Sequence, residues 1–195
     1  GHIHPVTGRL HPEFLIAGTR GGRFSCRSPN VQQAPAGEFR RLFRAPAGYQ
    51  LVAADYSQIE LRIAAILADD QAMLEAYKAG ADLHRRTAAA IAGIAEEEVT
   101  KAQRQLAKAC NFGLVYGMRA RTLAAYAAGS YGVSMSQTEA EQAKAAFFRA
   151  YPGIARWHAA TKVKGLHDPA VKTTGGLIRD LAKEPGGWQM TKALN

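Results

Sequence analysis

The feature that most constrains the fold is an alanine-rich block, residues 71–164, in which short helical segments follow one another. Gly, Ser or Pro-Gly interrupts the helical pattern every 10 to 20 residues or so, which favours separate short helices over a single long one. Six helices are therefore predicted, at residues 71–79, 82–92, 96–117, 119–128, 136–149 and 153–164. A block of this kind makes a predominantly helical fold the expectation.

A short apolar run, Tyr49–Ala54, precedes the helical block. Its length and its flanking residues predict a buried strand with Asp55 at the carboxyl end. Helical spacing of isoleucine and leucine follows, so a further helix is predicted over residues 57–68. Ser57 and Glu60 have the spacing of a capping box, in which the two side chains bond the backbone N–H groups at the start of a helix.

The two ends of the chain have a different composition from the helical block. Residues 1–46 are rich in Gly, Pro, Ser and Arg, with turn signals every few residues, which predicts loops and short strands. Residues 169–187 return to Gly, Pro and β-branched residues and predict a short hairpin around 171–178. Residues 188–195 resemble the beginning of another helix. The predicted fold class is α+β, predominantly helical.

Composition and charge narrow the function. The chain has 195 residues, 47% of them apolar, which is enough to bury a core. Its net charge of +9 attracts polyanions, which favours nucleic acid or an anionic membrane surface. No apolar run reaches the roughly 18 to 20 residues of a bilayer span, and no secretory leader opens the chain, so a cytoplasmic protein is expected. Cys26 and Cys110 lack metal-ligand spacing and are expected to be reduced.

Four residues at intervals of four form the densest constellation: Arg104, Lys108, Phe112 and Tyr116. On a helix each such step advances about 40°, so the four share one face about 18 Å long. Two cations and two aromatic rings in a row can hold the phosphates and the base of a nucleoside triphosphate. Gly113 could let a flat group approach. The alternative is an amphipathic helix with basic residues in solvent and aromatic residues in the core.

This run, together with Gly117, resembles the B motif of family A DNA polymerases, RxxxKxxxFGxxYG. The resemblance implies the right-hand polymerase architecture, here a partial palm with short antiparallel strands and helical fingers. It also implies DNA-directed DNA synthesis, with primer–template DNA and a deoxynucleoside triphosphate (dNTP) as partners. The implied division is a palm segment over 1–68, fingers over 69–168 with the B motif at 96–117, and a return to the palm over 169–195.

Residues 55–62, DYSQIELR, resemble the A motif of the same family. The resemblance implies that Asp55 and the carbonyl of Tyr56 bind two Mg²⁺ ions. It also implies that Tyr56, Gln58 and Glu60 contact the nucleotide, with Glu60 excluding a ribose 2′-hydroxyl. The alternatives are that Asp55 only ends a strand and that Glu60 only closes the capping box.

Two further stretches resemble segments of the family. The B-motif resemblance implies a DNA contact for Tyr116 and Gly117, and residues 19–33 resemble, imperfectly, a stretch whose side chains contact the DNA duplex, which implies that role for Arg23, Asn30 and Gln33. A plain surface loop is the alternative. The second stretch, Asp-Leu-His at residues 82–84, is similar to a family segment whose histidine reaches the triphosphate; an ordinary surface histidine is the alternative.

One expected element has no match. The family's second metal-binding aspartate belongs to a C motif spelled HDE, and we interpret His167-Asp168 as a helix-to-hairpin turn because Pro169 follows it. The 195 residues alone are therefore expected to be inactive. The competing hypotheses are a catalytically inert nucleic-acid-binding module and a relative of the single-subunit RNA polymerases. Glu60 and Phe112 favour deoxynucleotides as substrates, which counts against a relative of the RNA polymerases.

Overall fold

The computed structural model describes residues 2–35, 37–183 and 189–194. The chain divides into two compact units. The loop unit comprises Gly1–Asp55 and Lys172–Arg179, and the helical unit comprises Tyr56–Val171 and Asp180–Asn195. The described residues form mainly helices, with two small two-stranded sheets, so the predicted α+β, predominantly helical class is confirmed.

The loop unit is built around a two-stranded sheet. Strands β1 (Glu13–Leu15) and β2 (Ser25–Arg27) pair antiparallel. The Arg27 guanidinium donates two hydrogen bonds of 2.7 Å to the carboxylate of Glu13 across this pair. Short 3₁₀ turns follow at Val31–Gln33 and Gly37–Leu42. The prediction of loops and short strands in this part of the chain is confirmed.

The prediction of a strand at Tyr49–Ala54 is wrong. The structure gives residues 49–54 no regular secondary structure, and their side chains are exposed, with Val52 88% exposed. An extended segment becomes a strand only when its backbone N–H and C=O groups pair with a neighbour, and none of the described residues provides one. Asp55 therefore does not end a strand in this structure, and it too is exposed.

The helical unit holds seven longer helices and one short one, among the residues described. Their bounds are α1 Ile59–Leu67, α2 Gln71–Lys78, α3 Leu83–Ala92, α4 Lys101–Val115, α5 Ala120–Tyr131, α6 Gln137–Ala150, α7 Pro152–His167 and α8 Met190–Leu194. The core is formed by alanines and by larger side chains that include Leu114, Leu123 and Phe147. Alanine faces let helices approach closely, and α4 lies among α3, α5 and α6.

Side-chain caps explain where several helices begin. Thr100 and Ser136 form capping boxes with Gln103 and Glu139. Asp82 caps α3 through hydrogen bonds to the N–H groups of its first turn. The sequence therefore predicts these starts to within one residue for α3 and α6.

Two predicted helix starts are wrong. No capping box forms at Ser57, because α1 begins after Gln58, which has left-handed backbone angles and makes no side-chain cap. Glu60 is thus the second residue of α1 and does not hold the third position of a box that Ser57 would start. The helix predicted from residue 96 begins at Lys101, since Glu96–Glu98 forms a separate 3₁₀ turn and the Thr100 box starts the helix later.

The carboxyl-terminal predictions are confirmed where the structure describes them. Helix α7 ends at His167, and strands β3 (Ala170–Lys172) and β4 (Ile178–Asp180) form the expected hairpin. Asp168 accepts a 2.9 Å bond from Lys164, so the His-Asp pair marks a helix-to-hairpin turn. A 3₁₀ turn, Leu181–Lys183, follows the hairpin. The predicted helix start at Trp188 and the stretch 184–187 lie outside the described residues.

Candidate functional site

Helix α4 places the four residues of the B motif at one side, as their spacing predicts. Arg104, Lys108 and Phe112 lie within the helix and are half-buried, and Tyr116 follows its last turn. On the opposite side Cys110 is fully buried in the core. Phe112 packs against the core, as the amphipathic alternative expects, whereas Arg104 and Lys108 are half-buried and do not stand fully in solvent.

The end of α4 explains both glycines of the motif in structural terms. Gly117 has φ of +75°, and the Gly117 and Met118 N–H groups bond the carbonyls of Leu114 and Gly113, which is a Schellman ending. A Cβ at Gly113 would lie 2.9 Å from Leu123, so the missing side chain serves the packing of α4 on α5. Our expectation that Gly113 admits a flat ligand is wrong.

Arg104 forms an ion pair that the sequence did not reveal. Its Nε donates to Oδ2 of Asp82 at 2.6 Å, and both side chains are about one-third exposed. The other oxygen, Oδ1, accepts from the backbone N–H groups of His84 and Arg85 at 3.0 and 3.4 Å. Asp82 therefore caps α3 and orients Arg104 on α4 at the same time.

His84 lies beside the same face of α4. The residue is 4% exposed, Nδ1 of its ring lies 2.8 Å from Nδ2 of Asn111, and the ring centroid is 5.9 Å from that of Phe112. The alternative of an ordinary surface histidine is therefore wrong. Lys108, one turn before Phe112, makes no ion pair or hydrogen bond with any described residue, so its ammonium group is available to a ligand.

The electrostatics of this cluster favour a neutral histidine beside two cations. Burial lowers the pKa of His84 to about 4, with Arg104 and Lys108 acting in the same direction and Asp82 against it. Burial by itself would raise the pKa of Asp82. The hydrogen bond and charge of Arg104, together with hydrogen bonds from backbone N–H groups, outweigh burial, so the pKa of Asp82 lies below its usual value. Asp82 is ionised at neutral pH, and an anionic ligand would meet net positive charge.

The remaining predicted nucleotide contacts flank α1. Tyr56 is exposed, Gln58 accepts a 3.1 Å hydrogen bond from the Tyr77 hydroxyl, and Glu60 lies in the first turn of α1. Arg62 supports this turn by donating to the Ser57 carbonyl at 2.9 Å. Gln58 thus has a structural role in addition to the predicted one.

The predicted metal ligands supply only part of a coordination sphere. Asp55 offers one exposed carboxylate and Tyr56 one backbone carbonyl, which are the hard oxygen donors that Mg²⁺ prefers. Across the part of the chain that the structure describes, no three His, Cys, Asp or Glu side chains group closely enough to hold a metal ion. The donors present therefore fit Mg²⁺ in type but not in number.

Three of the predicted duplex-contacting residues, Arg23, Asn30 and Gln33, lie in the loop unit, whereas Tyr116 and Gly117 stand at the end of α4. The Arg23 N–H bonds Oγ1 of Thr19 at 3.0 Å in a turn, and Oδ1 of Asn30 accepts from Gln32 N–H at 3.1 Å. Arg23, Asn30 and Gln33 are all exposed. Their side chains are placed where a macromolecule can reach them.

Comparison with known proteins identifies the family. The sequence model that describes DNA polymerase family A matches residues 1–184 of this chain. The chain belongs to DNA polymerase family A. Among family A relatives, DNA polymerase I of Aquifex aeolicus is 46% identical over 155 residues, or 80% of this chain and 27% of that protein. The thermostable DNA polymerase I of Thermus aquaticus is 38% identical over 182 residues, or 91% and 21%.

A solved polymerase-domain structure has the same fold. The POL domain of Pol1 from M. smegmatis, in complex with DNA primer-template and dNTP, matches 99% of this chain with a TM-score of 0.80 and 30% identity. The match confirms the expected architecture of a partial palm with helical fingers. This chain covers 34% of that chain and about a quarter and a fifth of the two curated relatives. No helix among the described residues is long and apolar enough to cross a membrane.

Two side chains beside the candidate site, Asn111 and Thr87, were not predicted from the sequence, and Asp82 was noted only as part of the Asp-Leu-His stretch. Asp82 was visible as a helix-capping residue, but its bond to Arg104 joins positions 22 residues apart. Asn111 stands directly before Phe112, where its polar side chain on the buried side of α4 was a signal that could have been noticed. A polar residue in a core position demands a partner.

Proposed function

We propose that the polymerase containing this chain carries out template-directed DNA synthesis. In this reaction the primer 3′-hydroxyl oxygen bonds to the α-phosphorus of a dNTP, the bond from that phosphorus to the β-phosphate bridge breaks, and pyrophosphate leaves; the hydroxyl proton passes to solvent. One observation carries the proposal: two cations and a buried histidine gather beside an aromatic ring on α4, in a chain similar over nearly its whole length to a polymerase domain bound to DNA and dNTP.

In this proposal Arg104, Lys108 and His84 bind the triphosphate. Asp82 accepts a hydrogen bond from Nε of Arg104. The two terminal nitrogens of Arg104 bond no described residue and can donate to the phosphate oxygens. Lys108 adds a point charge, and these preorganised donors stabilise charge that builds on the leaving pyrophosphate. Phe112 and Tyr116 offer ring faces to the base.

The other assigned residues complete the proposal. Tyr56, Gln58 and Glu60 contact the nucleotide, and Glu60 excludes the 2′-hydroxyl. Arg23, Asn30, Gln33, Tyr116 and Gly117 contact the primer–template duplex.

The Asp55 carboxylate and the Tyr56 carbonyl are the groups of this chain that would hold Mg²⁺. Two Mg²⁺ ions, when bound, supply charge neutralisation at the phosphates and activate the 3′-hydroxyl. Because Asp55 is a single carboxylate, we propose that the 195 residues alone bind metal weakly and do not extend a primer. This proposal includes the division into a palm segment (1–68), fingers (69–168) and a return to the palm (169–195). It also includes action in the cytoplasm.

Replacing Lys108 by alanine in the full-length polymerase tests the assignment. The lost contact is charge-assisted, so about 2 to 4 kcal/mol of transition-state stabilisation should disappear, or roughly 30-fold to 1000-fold in kcat/KM for dNTP. Affinity for primer–template DNA should change about twofold at most. Lys78→Ala is the matched control, because Lys78 is exposed at the end of α2. An unchanged kcat/KM in the Lys108 variant would refute the phosphate-binding role.

A further inference from the structure

A chain of buried hydrogen bonds runs through the helical unit and ends at His84. The Thr87 hydroxyl lies 2.7 Å from the Tyr151 hydroxyl and 2.9 Å from Oδ1 of Asn111, and Nδ2 of Asn111 lies 2.8 Å from Nδ1 of His84. Thr87, Asn111 and Tyr151 are at most 1% exposed. We name Thr87, Asn111 and Tyr151 the buried polar cluster.

The cluster joins three helices at one point. Thr87 is on α3, Asn111 on α4, and Tyr151 ends α6. Burying polar groups is costly even when they are hydrogen-bonded, and apolar side chains of the same shape would hold the helices at least as well. What apolar side chains cannot do is bond a ring nitrogen. The role specific to this cluster therefore lies at its end, on His84.

We propose that Asn111, held by Thr87 and Tyr151, is a positioning residue that fixes the imidazole of His84, so that Nε2 is the only ring edge left to bond a triphosphate oxygen. The inference rests on the proposed function, because it supplies the orientation that triphosphate binding by His84 requires. Asn111 itself is fully buried and acts through His84.

The bond direction also sets the tautomer of His84. Nδ2 of Asn111 lies 2.8 Å from Nδ1 of His84, and because an amide NH₂ can only donate, Nδ1 is the acceptor. Tyr151 can donate to Thr87, whose single hydroxyl hydrogen is shared between the Leu83 carbonyl at 2.8 Å and Oδ1 of Asn111 at 2.9 Å. A neutral imidazole that accepts at Nδ1 carries its hydrogen on Nε2. No described residue bonds Nε2, so this N–H can donate to a phosphate oxygen without the ring first taking up a proton.

Imidazole ¹⁵N NMR of the 195-residue chain tests the positioning step without any activity. His84→Gln assigns the signals. We expect His84 to be Nε2-protonated at neutral pH in the unsubstituted chain. In Asn111→Asp, which keeps the shape but can only accept, Nδ1 should become protonated. An Nδ1-protonated ring in the unsubstituted chain, or a tautomer that Asn111→Asp leaves unchanged, would overturn the proposal.

A double-mutant cycle in the full-length polymerase tests the functional step. His84→Ala and Asn111→Asp should each raise KM for dNTP about fivefold to tenfold and change kcat about twofold or less. Because Asn111 acts through His84, the double variant should be no worse than His84→Ala alone. Multiplicative effects of the two substitutions would show that Asn111 acts independently and would overturn the proposal.

If the Asn111 variant does not fold, Tyr151→Phe provides a second test, since it removes one hydroxyl and little volume. It should raise KM about twofold in the parent and leave it unchanged in the His84→Ala background; no effect in the parent would count against the proposal. Tyr131→Phe at the end of α5 is the matched control. If Lys108→Ala has no effect on dNTP use, the proposed function itself has failed; if only the coupling to Asn111 is missing, the positioning role alone has failed.

Discussion

Asp70 provides the sharpest test of how the helical unit is held together. It is 1% exposed; its Oδ1 accepts from Met73 N–H at 3.0 Å, and its Oδ2 accepts from Gly153 and Ile154 N–H at 2.7 and 3.2 Å. One carboxylate thus caps α2 and the start of α7, 83 residues further along the chain. Charged acceptors at helix amino termini also interact favourably with the helix dipole.

Asp70→Asn keeps the shape but has one acceptor oxygen for three donors. If the amide oxygen stays on the α7 side, the bond to Met73 is lost and an NH₂ group faces an N–H donor. A hydrogen bond to a charged acceptor contributes about 1.5 to 3 kcal/mol, and loss of the charge weakens the remaining bonds, so the variant should lose about 2 to 4 kcal/mol of unfolding free energy. Denaturant unfolding followed by circular dichroism at 222 nm measures this loss.

Asp69→Asn is the matched control, because Asp69 is the neighbouring carboxylate and is exposed; it should cost about 0.5 kcal/mol or less. Gly153→Ala offers an independent check, since its Cβ would lie 2.6 Å from Cα of Asp70 and force the two segments apart. Equal stability of the Asp70→Asn and Asp69→Asn variants would show that the carboxylate does not join α2 to α7.

Three further predictions concern sugar choice, DNA binding and pH. Glu60→Ala in the full-length polymerase should raise ribonucleotide incorporation, because a steric barrier is removed; unchanged discrimination in single-turnover assays would refute that role. The 195-residue chain should bind primer–template DNA weakly, with affinity falling by orders of magnitude as salt rises several-fold, and should add no nucleotide; primer extension that Asp55→Ala abolishes would contradict this. Because the pKa of His84 is lowered to about 4, the unfolded state binds more protons between pH 6.5 and 4, so stability should fall by at most about 3 kcal/mol as pH drops through that window. His84→Gln should flatten the fall seen in denaturant midpoints, whereas His167→Gln, at an exposed position, should not.

Local signals predicted the helices well because helix starts and ends depend on near neighbours. Thr100, Ser136 and Asp82 each bond N–H groups within three residues, and Gly93 and Gly132 end their helices with positive φ. The failures involve non-local or competing effects. The segment 49–54 has strand composition, but pairing partners decide whether a strand forms.

The same contrast separates the predicted and the missed parts of the candidate site. Spacing alone placed Arg104, Lys108 and Phe112 on one face, because helical geometry is regular. The bonds from Arg104 to Asp82 and from Asn111 to His84 depend on how α3 and α4 pack, and that packing is set by side chains spread over the whole unit. The family resemblance pointed to His84 by position, whereas only the structure shows what holds it.

Asp82 links the fold to the chemistry more directly than any other described residue. Its Oδ1 starts the helix that carries His84, while its Oδ2 holds Arg104 of α4 at 2.6 Å. Two of the three proposed triphosphate-binding side chains, His84 and Arg104, therefore take their positions from one carboxylate at the first turn of α3. Since that carboxylate is also a negative charge close to a proposed anion site, its pairing with Arg104 has to offset its repulsion of phosphate. Lys108, which has no such acidic partner among the described residues, is consequently the cation whose charge is least compensated before a nucleotide binds.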